Sequence, residues 1–143
     1  MTVAAILKHK GHDVLGATLD QKMADVARML SERRIGAVPV LGSGRQLLGI
    51  LSERDIVHAL AAHGAAALDL PASALMTREV TIATPATTVA QAMELMTAGR
   101  FRHLPVLEGG RLSGIISIGD VVKARLQAQE QEVDSLKAYV AGG

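Results

Sequence analysis

The sequence predicts an α/β (α+β) fold made of two copies of one strand–helix–strand–strand–helix unit. The first observation is that the chain aligns with itself. Val14 falls on Val80, Ala17 on Ala83, Thr18 on Thr84, Ala24 on Ala90, Arg34 on Arg100, and Pro39-Val40-Leu41 on Pro105-Val106-Leu107. Past a Gly-rich segment the displacement shortens by one residue and pairs Gly49-Ile50 with Gly114-Ile115, Ser52 with Ser117, Asp55 with Asp120 and Val57 with Val122. A register held over that span, with its only slip in turn chemistry, marks an internal duplication. The second observation is helical spacing of apolar residues at one place in each copy, and the third is a pair of β-branched, apolar segments flanking each Gly cluster.

Each copy opens on a short strand, Val14–Ala17 or Val80–Ala83. A helix follows, from about Gln21 to Arg33, with Met23, Val26, Ala27 and Leu30 on one face; its counterpart carries Val89, Ala92, Met93 and Met96. Strands Ala37–Leu41 and Leu47–Leu51 are joined through Gly42-Ser43-Gly44, and His103–Leu107 and Leu112–Ser117 through Gly109-Gly110, which have hairpin composition. Second helices begin near Glu53 and Ile118. The resulting division is an N-terminal helical segment over 1–12 that Thr2 can cap, repeat 1 over 13–63, a linker over 64–78, repeat 2 over 79–126, and a C-terminal helix and tail over 127–143. Pro71 suits the start of a short linker helix ending near Met76. A unit of this size is marginal alone, because small domains bury too little surface, so the two copies are expected to pack together.

Composition narrows the function. The 143 residues are 49% hydrophobic and 20% charged, the balance of a globular protein. With 15 basic against 14 acidic residues the net charge is +1, which offers no broad footprint for duplex nucleic acid or an anionic membrane. Phe101 and Tyr139 alone are aromatic, too few to stack unpaired bases. The absence of cysteine excludes disulfides, thiolate catalysis and thiolate metal clusters. The N-terminal apolar stretch is too short for a signal peptide, and His58, His63, Asp69 and Pro71 interrupt the apolar run around them, so a cytoplasmic protein without a membrane span is expected. The five histidines fall at spacings that build no metal site, and no serine sits in a nucleophile motif; neither a metal nor catalysis is expected.

The informative constellation closes each hairpin: Gly49-Ile50-Leu51-Ser52-Glu53-Arg54-Asp55 and Gly114-Ile115-Ile116-Ser117-Ile118-Gly119-Asp120. A strand turning into a helix there exposes backbone N–H groups, which with a Ser hydroxyl suit an anion such as phosphate. An Asp one turn in offers two acceptor oxygens for the vicinal hydroxyls of a ribose. The same Ser-x-x-Asp spacing is also close to a capping box that serves only to start a helix. At the C-terminus, Leu126, Val133 and Val140 recur every seven residues with Leu136 between them, the pattern either of a short seam against a second subunit or of a helix docked on its own domain and fraying before Gly142-Gly143.

These paired motifs, with Met76-Thr77 ahead of the second copy, Thr84-Pro85, and Arg102-His103-Leu104-Pro105-Val106 before its hairpin, resemble a tandem pair of cystathionine-β-synthase (CBS) domains over about Val14 to Leu126. The resemblance implies two βαββα repeats packed about a pseudo-twofold axis, with two clefts that in many relatives bind AMP, ADP, ATP, NAD(H) or S-adenosylmethionine. Carried over by position, one cleft would combine Asp120, Ser117 and Gly119 with Thr18, Ile35, Gly36 and Ala37. The other would combine Asp55, Ser52 and Arg54 with Thr84, Phe101, Arg102 and His103, and its extra cationic residues would tolerate more phosphate. The resemblance also implies homodimerisation. The function expected is therefore a regulatory, signal-transducing nucleotide-binding module with no catalytic cofactor, acting on an unidentified protein partner in trans. The alternative is a structural adaptor whose Ser-x-x-Asp elements are caps alone.

Overall fold

The structure is a computed structural model and describes residues 1–142. Its helices are α1 (Val3–Lys10), α2 (Met23–Arg33), α3 (Glu53–His63), α4 (Ala72–Leu75), α5 (Val89–Gly99) and α6 (Ile118–Gly142). Its strands are β1 (Ala37–Leu41), β2 (Leu47–Ser52), β3 (His103–Glu108) and β4 (Arg111–Ser117). Strands β1 and β2 form one antiparallel hairpin and β3 and β4 another, in equivalent registers that pair Pro39 with Ile50 and Pro105 with Ile115. Each hairpin shifts register at the same place, after Val40 and after Val106.

The opening strand expected in each repeat contracts to a single parallel bridge, Ala17 to Val40 and Ala83 to Val106. Proline explains why. Ala17 N–H donates to Pro39 C=O at 2.9 Å and Leu41 N–H donates to Ala17 C=O at 2.9 Å. Extending that ladder toward Leu15 would require an N–H on Pro39, which has none. Pro105 imposes the same limit beside Ala83, whose bonds to Pro105 and Leu107 repeat the pattern at the same lengths.

Each repeat has its own apolar core, and each core borrows from the segment preceding the other repeat. Val3, Ile6 and Leu7 of α1 are buried with Ala83, Val89, Ala92, Met96, Leu104, Val106, Ile116, Val121 and Ala124 of repeat 2. Ala72 and Met76, ahead of repeat 2, are buried with Ala17, Met23, Val26, Leu30, Val38, Val40 and Leu51 of repeat 1. The glycines Gly49 and Gly114 make room for these contacts: a Cβ on Gly49 would meet Met76, and one on Gly114 would meet Leu7. The exchange gives each half a stake in the other and relieves the small-core problem of an isolated repeat.

Three further details complete the fold. Thr2 occupies the N-cap position of α1, but its side chain makes no capping bond; its carbonyl instead accepts from the Ala5 and Ile6 N–H groups. The linker holds α4 directly after Pro71, where the sequence placed a short helix, and a 3-10 segment over Gly64–Asp69 before it. The C-terminal helix does not dock on its own domain: α6 runs unbroken through Gly142, and beyond Ala124 it buries no residue. Gly143, the end of the expected tail, lies outside the described residues. Among the described residues no helix is long and apolar enough to cross a membrane.

Candidate functional site

At the head of α3, Ser52 and Asp55 form a complete capping box. Ser52 N–H donates to Asp55 Oδ2 at 2.8 Å, and Asp55 N–H donates to Ser52 Oγ at 3.3 Å. The head of α6 repeats these bonds, Ser117 N–H to Asp120 Oδ2 at 2.8 Å and Asp120 N–H to Ser117 Oγ at 3.1 Å. In both places capping therefore occupies Oδ2, and what distinguishes the two sites is what surrounds the rest of the carboxylate.

Around Asp55 the surroundings are a cavity of about 590 Å³. Its walls come from both repeats: Ser52, Glu53, Arg54 and Asp55 at the β2–α3 junction, Gly99, Arg100, Phe101, Arg102 and His103 between α5 and β3, Gly36 and Ala37 at the start of β1, and Thr77 to Thr81 apart from Arg78 along the crossover, with Ile50 behind. Asp55 Oδ1 has one contact, from the Thr77 hydroxyl at a long 3.5 Å. Arg54 donates to the Arg100 carbonyl at 3.2 Å, tying α3 of one repeat to the α5–β3 corner of the other. That corner turns because Arg100 adopts a left-handed conformation at φ 56°, as Arg34 does at φ 53° in the equivalent place. Gly99 leaves room for the Phe101 ring, which a Cβ there would strike. Gly36 does the same for His103, whose Cε1 would lie 2.7 Å from a Cβ at that position.

Around Asp120 the carboxylate meets a cation instead. Lys10, the last residue of α1, places its ammonium 2.7 Å from Asp120 Oδ2 and 2.8 Å from the Ile115 carbonyl. Burial raises the Asp120 carboxyl, but the Lys10 hydrogen bond, the Ser117 N–H and the Lys10 charge outweigh it and hold the group below the ordinary value of 3.8. His103 stands between the two regions. Burial lowers its imidazole from the ordinary 6.5, and Lys10 and then Arg102 add to this, against the opposing charges of Glu53 and Asp120.

The cavity thus brings together Ser52, Arg54, Asp55, Phe101, Arg102 and His103, and adds Gly36 and Ala37, which the sequence placed in the other cleft. Thr18, Ile35, Thr84, Ser117, Gly119 and Asp120 do not line it. Thr84 is drawn into the turn before α5, where its N–H donates to Thr87 Oγ1 at 3.0 Å. Thr18 likewise bonds Asp20 and Gln21 ahead of α2. Ile35 packs against the repeat 1 core. Two other threonines reach the cavity, Thr77 and Thr81, the latter on the segment before Ala83; Glu53, Glu79 and Arg100 are the other polar residues the sequence did not assign to the site. Thr77 had a signal, its place in the Met76-Thr77 motif. Thr81 had none, because its equivalent in repeat 1 is the apolar Leu15.

No cluster of His, Cys, Asp or Glu suited to a metal occurs among the described residues. The cavity offers the half-engaged Asp55 carboxylate with those of Glu53 and Glu79, three hydroxyls, an aromatic ring, an imidazole and three guanidinium groups around one space.

The family model for the CBS domain matches the chain twice, over residues 6–62 and 72–127. The CBS domain-containing protein CBSX3, mitochondrial, of Arabidopsis thaliana is 34% identical over 151 residues, covering 99% of this chain and 73% of its own. Among solved structures, the CBS-domain containing protein ATU1752 from Agrobacterium tumefaciens superposes with a TM-score of 0.84 at 48% identity, covering 87% of this chain and 99% of its own. CBSX2, solved in complex with AMP, shares the fold with a TM-score of 0.72 at 24% identity, over 80% of this chain and 90% of its own.

Proposed function

Since the chain belongs to the CBS domain family and carries its unit twice, we propose that it is a non-catalytic regulatory module that binds an adenosine-containing ligand in the Asp55 cavity and signals to a protein partner in trans. The cytoplasm is the proposed site of action and a homodimer the proposed assembly. The observation that carries this proposal is the open Oδ1 face of Asp55 inside a cavity of about 590 Å³, within the size range of small-molecule sites. Asp55 Oδ1 and Thr77 would take the ribose hydroxyls. Phe101 would pack on the adenine, and Arg54, Arg100 and Arg102 would face the phosphates of AMP, ADP, ATP or NAD(H). The AMP complex of CBSX2, a neighbour in fold, is consistent with this class of ligand. The Asp120 region is proposed to stay unliganded while Lys10 holds it.

For ligand to become signal, it must favour one conformation over another. The cavity suits that requirement because its walls belong to both repeats, so a ligand there clamps the α3 head of one against the α5–β3 corner of the other.

One observation favours the adaptor alternative: the capping box at Ser52 and Asp55 is complete without any ligand. A thermal-shift screen of AMP, ADP, ATP, NAD, NADH and S-adenosylmethionine separates the two. At about one hundred times its dissociation constant a ligand adds about 2.7 kcal/mol, several degrees of melting temperature for a chain of this size. Asp55→Asn should abolish that shift. A melt that none of the six compounds moves would favour the adaptor.

A further inference from the structure

From Val122 onward, over about five turns, α6 carries a mostly apolar stripe that nothing among the described residues covers. Val122, Leu126, Gln129, Val133, Leu136 and Val140 alternate at intervals of four and three, the a and d positions of a heptad repeat. The helix is continuous through them, and Leu126, Val133, Leu136 and Val140 are 55%, 50%, 65% and 72% exposed. The stripe begins at Val122, one residue after the buried Val121, so it leads directly out of the repeat 2 core.

The charges beside the stripe say what would cover it. With Leu126 and Val133 at a, Arg125 and Glu132 fall at g and Glu130 and Lys137 at e. In a parallel, in-register pair each g residue faces the e residue five positions later on the other helix. Arg125 then meets Glu130 and Glu132 meets Lys137, opposite charges on both sides of the seam. In an antiparallel pair of the same overlap, e faces e and g faces g. Glu130 and Glu132 would each meet their own copies and Lys123 would meet Lys137, three like-charge contacts, while Arg125 would meet the uncharged Tyr139.

We infer that the exposed half of α6 is the seam of a parallel two-stranded coiled coil with a second copy of this chain. It deepens the homodimer part of the proposed function, names the surface and its direction, and is independent of the ligand. A seam of fewer than three heptads is too short to hold by itself, so it acts as a clasp beside the globular bodies. It brings the two repeat 2 cores to the same end of the seam, on opposite sides of the twofold axis.

The cysteine-free sequence makes the test direct. In the full-length chain, Leu126→Cys puts one thiol at an a position, where a parallel dimer brings the two copies within disulfide reach. Gln131→Cys puts one at f, on the outer face. Under mild oxidation Leu126→Cys should form covalent dimer roughly tenfold or more faster than Gln131→Cys, because bridging demands closely opposed backbones. In sedimentation, Glu132→Lys should weaken self-association and the double change Glu132→Lys with Lys137→Glu should restore it. A full-length dimer in which Leu126→Cys cross-links no faster than Gln131→Cys, or in which the double change fails to rescue, overturns the seam and leaves the homodimer standing. A chain that sediments as a monomer at every concentration overturns both.

Discussion

The heads of α3 and α6 are twins in sequence and in bonding, yet one faces a cavity and the other a lysine. Both carboxylates accept from their own serine N–H at 2.8 Å. Both lie beside an equivalent strand carbonyl, Ile50 or Ile115. In repeat 1 that carbonyl accepts from the Thr77 backbone N–H at 2.9 Å, and the Thr77 hydroxyl reaches Asp55 only at 3.5 Å. In repeat 2 one ammonium does both jobs at 2.7 and 2.8 Å. Among the described residues Asp55 forms no ion pair, whereas Asp120 is paired with a cation on the same Oδ2 that its cap uses. The duplicated units are thus told apart by the segments that precede them, α1 and the end of the linker, rather than by the motifs they share.

Steric substitution should separate the two regions most strongly. A Cβ on Gly49 would sit 2.7 Å from Met76 Sδ and 2.8 Å from the Thr77 carbonyl, so backbone must move; on Gly114 it would sit 2.7 Å from Leu7 Cδ2, the end of a flexible side chain. Gly49→Ala should cost about 1–3 kcal/mol in urea unfolding and Gly114→Ala distinctly less. Equal losses would mean the two approaches are equally rigid. Next, Ser52→Ala and Ser117→Ala should each cost about 1 kcal/mol, since capping is the feature the two heads share. Unequal losses there would show that the comparison extends to the caps themselves.

Lys10→Ala should have a smaller effect on stability, about 0.2–1 kcal/mol, because the pair is partly open to solvent, with the lysine side chain 42% exposed. Its pH dependence has a defined sign. Asp120 titrates below its ordinary 3.8 when folded, so its contribution is whole above that pH and is lost as the pH falls through the folded value. Lys10→Ala should flatten acid unfolding in that range. The smallest effect is expected at His103, whose folded value lies below 6.5. The unfolded chain takes up that proton first, so stability should decline as the pH falls from 6.5 toward the folded value, and His103→Asn should remove that decline. Following the His103 ring protons by NMR across the same range gives the titration directly.

Much of the architecture was legible because the duplication is local in its grammar. Hairpin composition around Gly42–Gly44 and Gly109–Gly110, helical periodicity in α2 and α5, and the Ser-x-x-Asp heads each specify structure within a few residues, and each repeats. The first strand of each repeat was read too generously. Its apolar pattern was real, but the limit on its length sits in the partner strand, at Pro39 and Pro105. Lys10 was invisible for a related reason: it reaches Asp120 from 110 residues away, and nothing in α1 marks a basic residue at a helix end as anything but solvated. Thr81 and Thr84 show the same lesson at short range. A threonine ahead of a proline was the more conspicuous residue, yet the turn consumes its bonds and the plainer one faces the cavity.

The most direct measurement is a calorimetric titration of the full-length chain with the tightest compound from the nucleotide screen, repeated on Asp55→Asn, Asp120→Asn and Lys10→Ala. The account predicts a single site per chain that Asp55→Asn abolishes and Asp120→Asn leaves intact, with any second site emerging only in Lys10→Ala. Binding that survives Asp55→Asn and disappears in Asp120→Asn would contradict it.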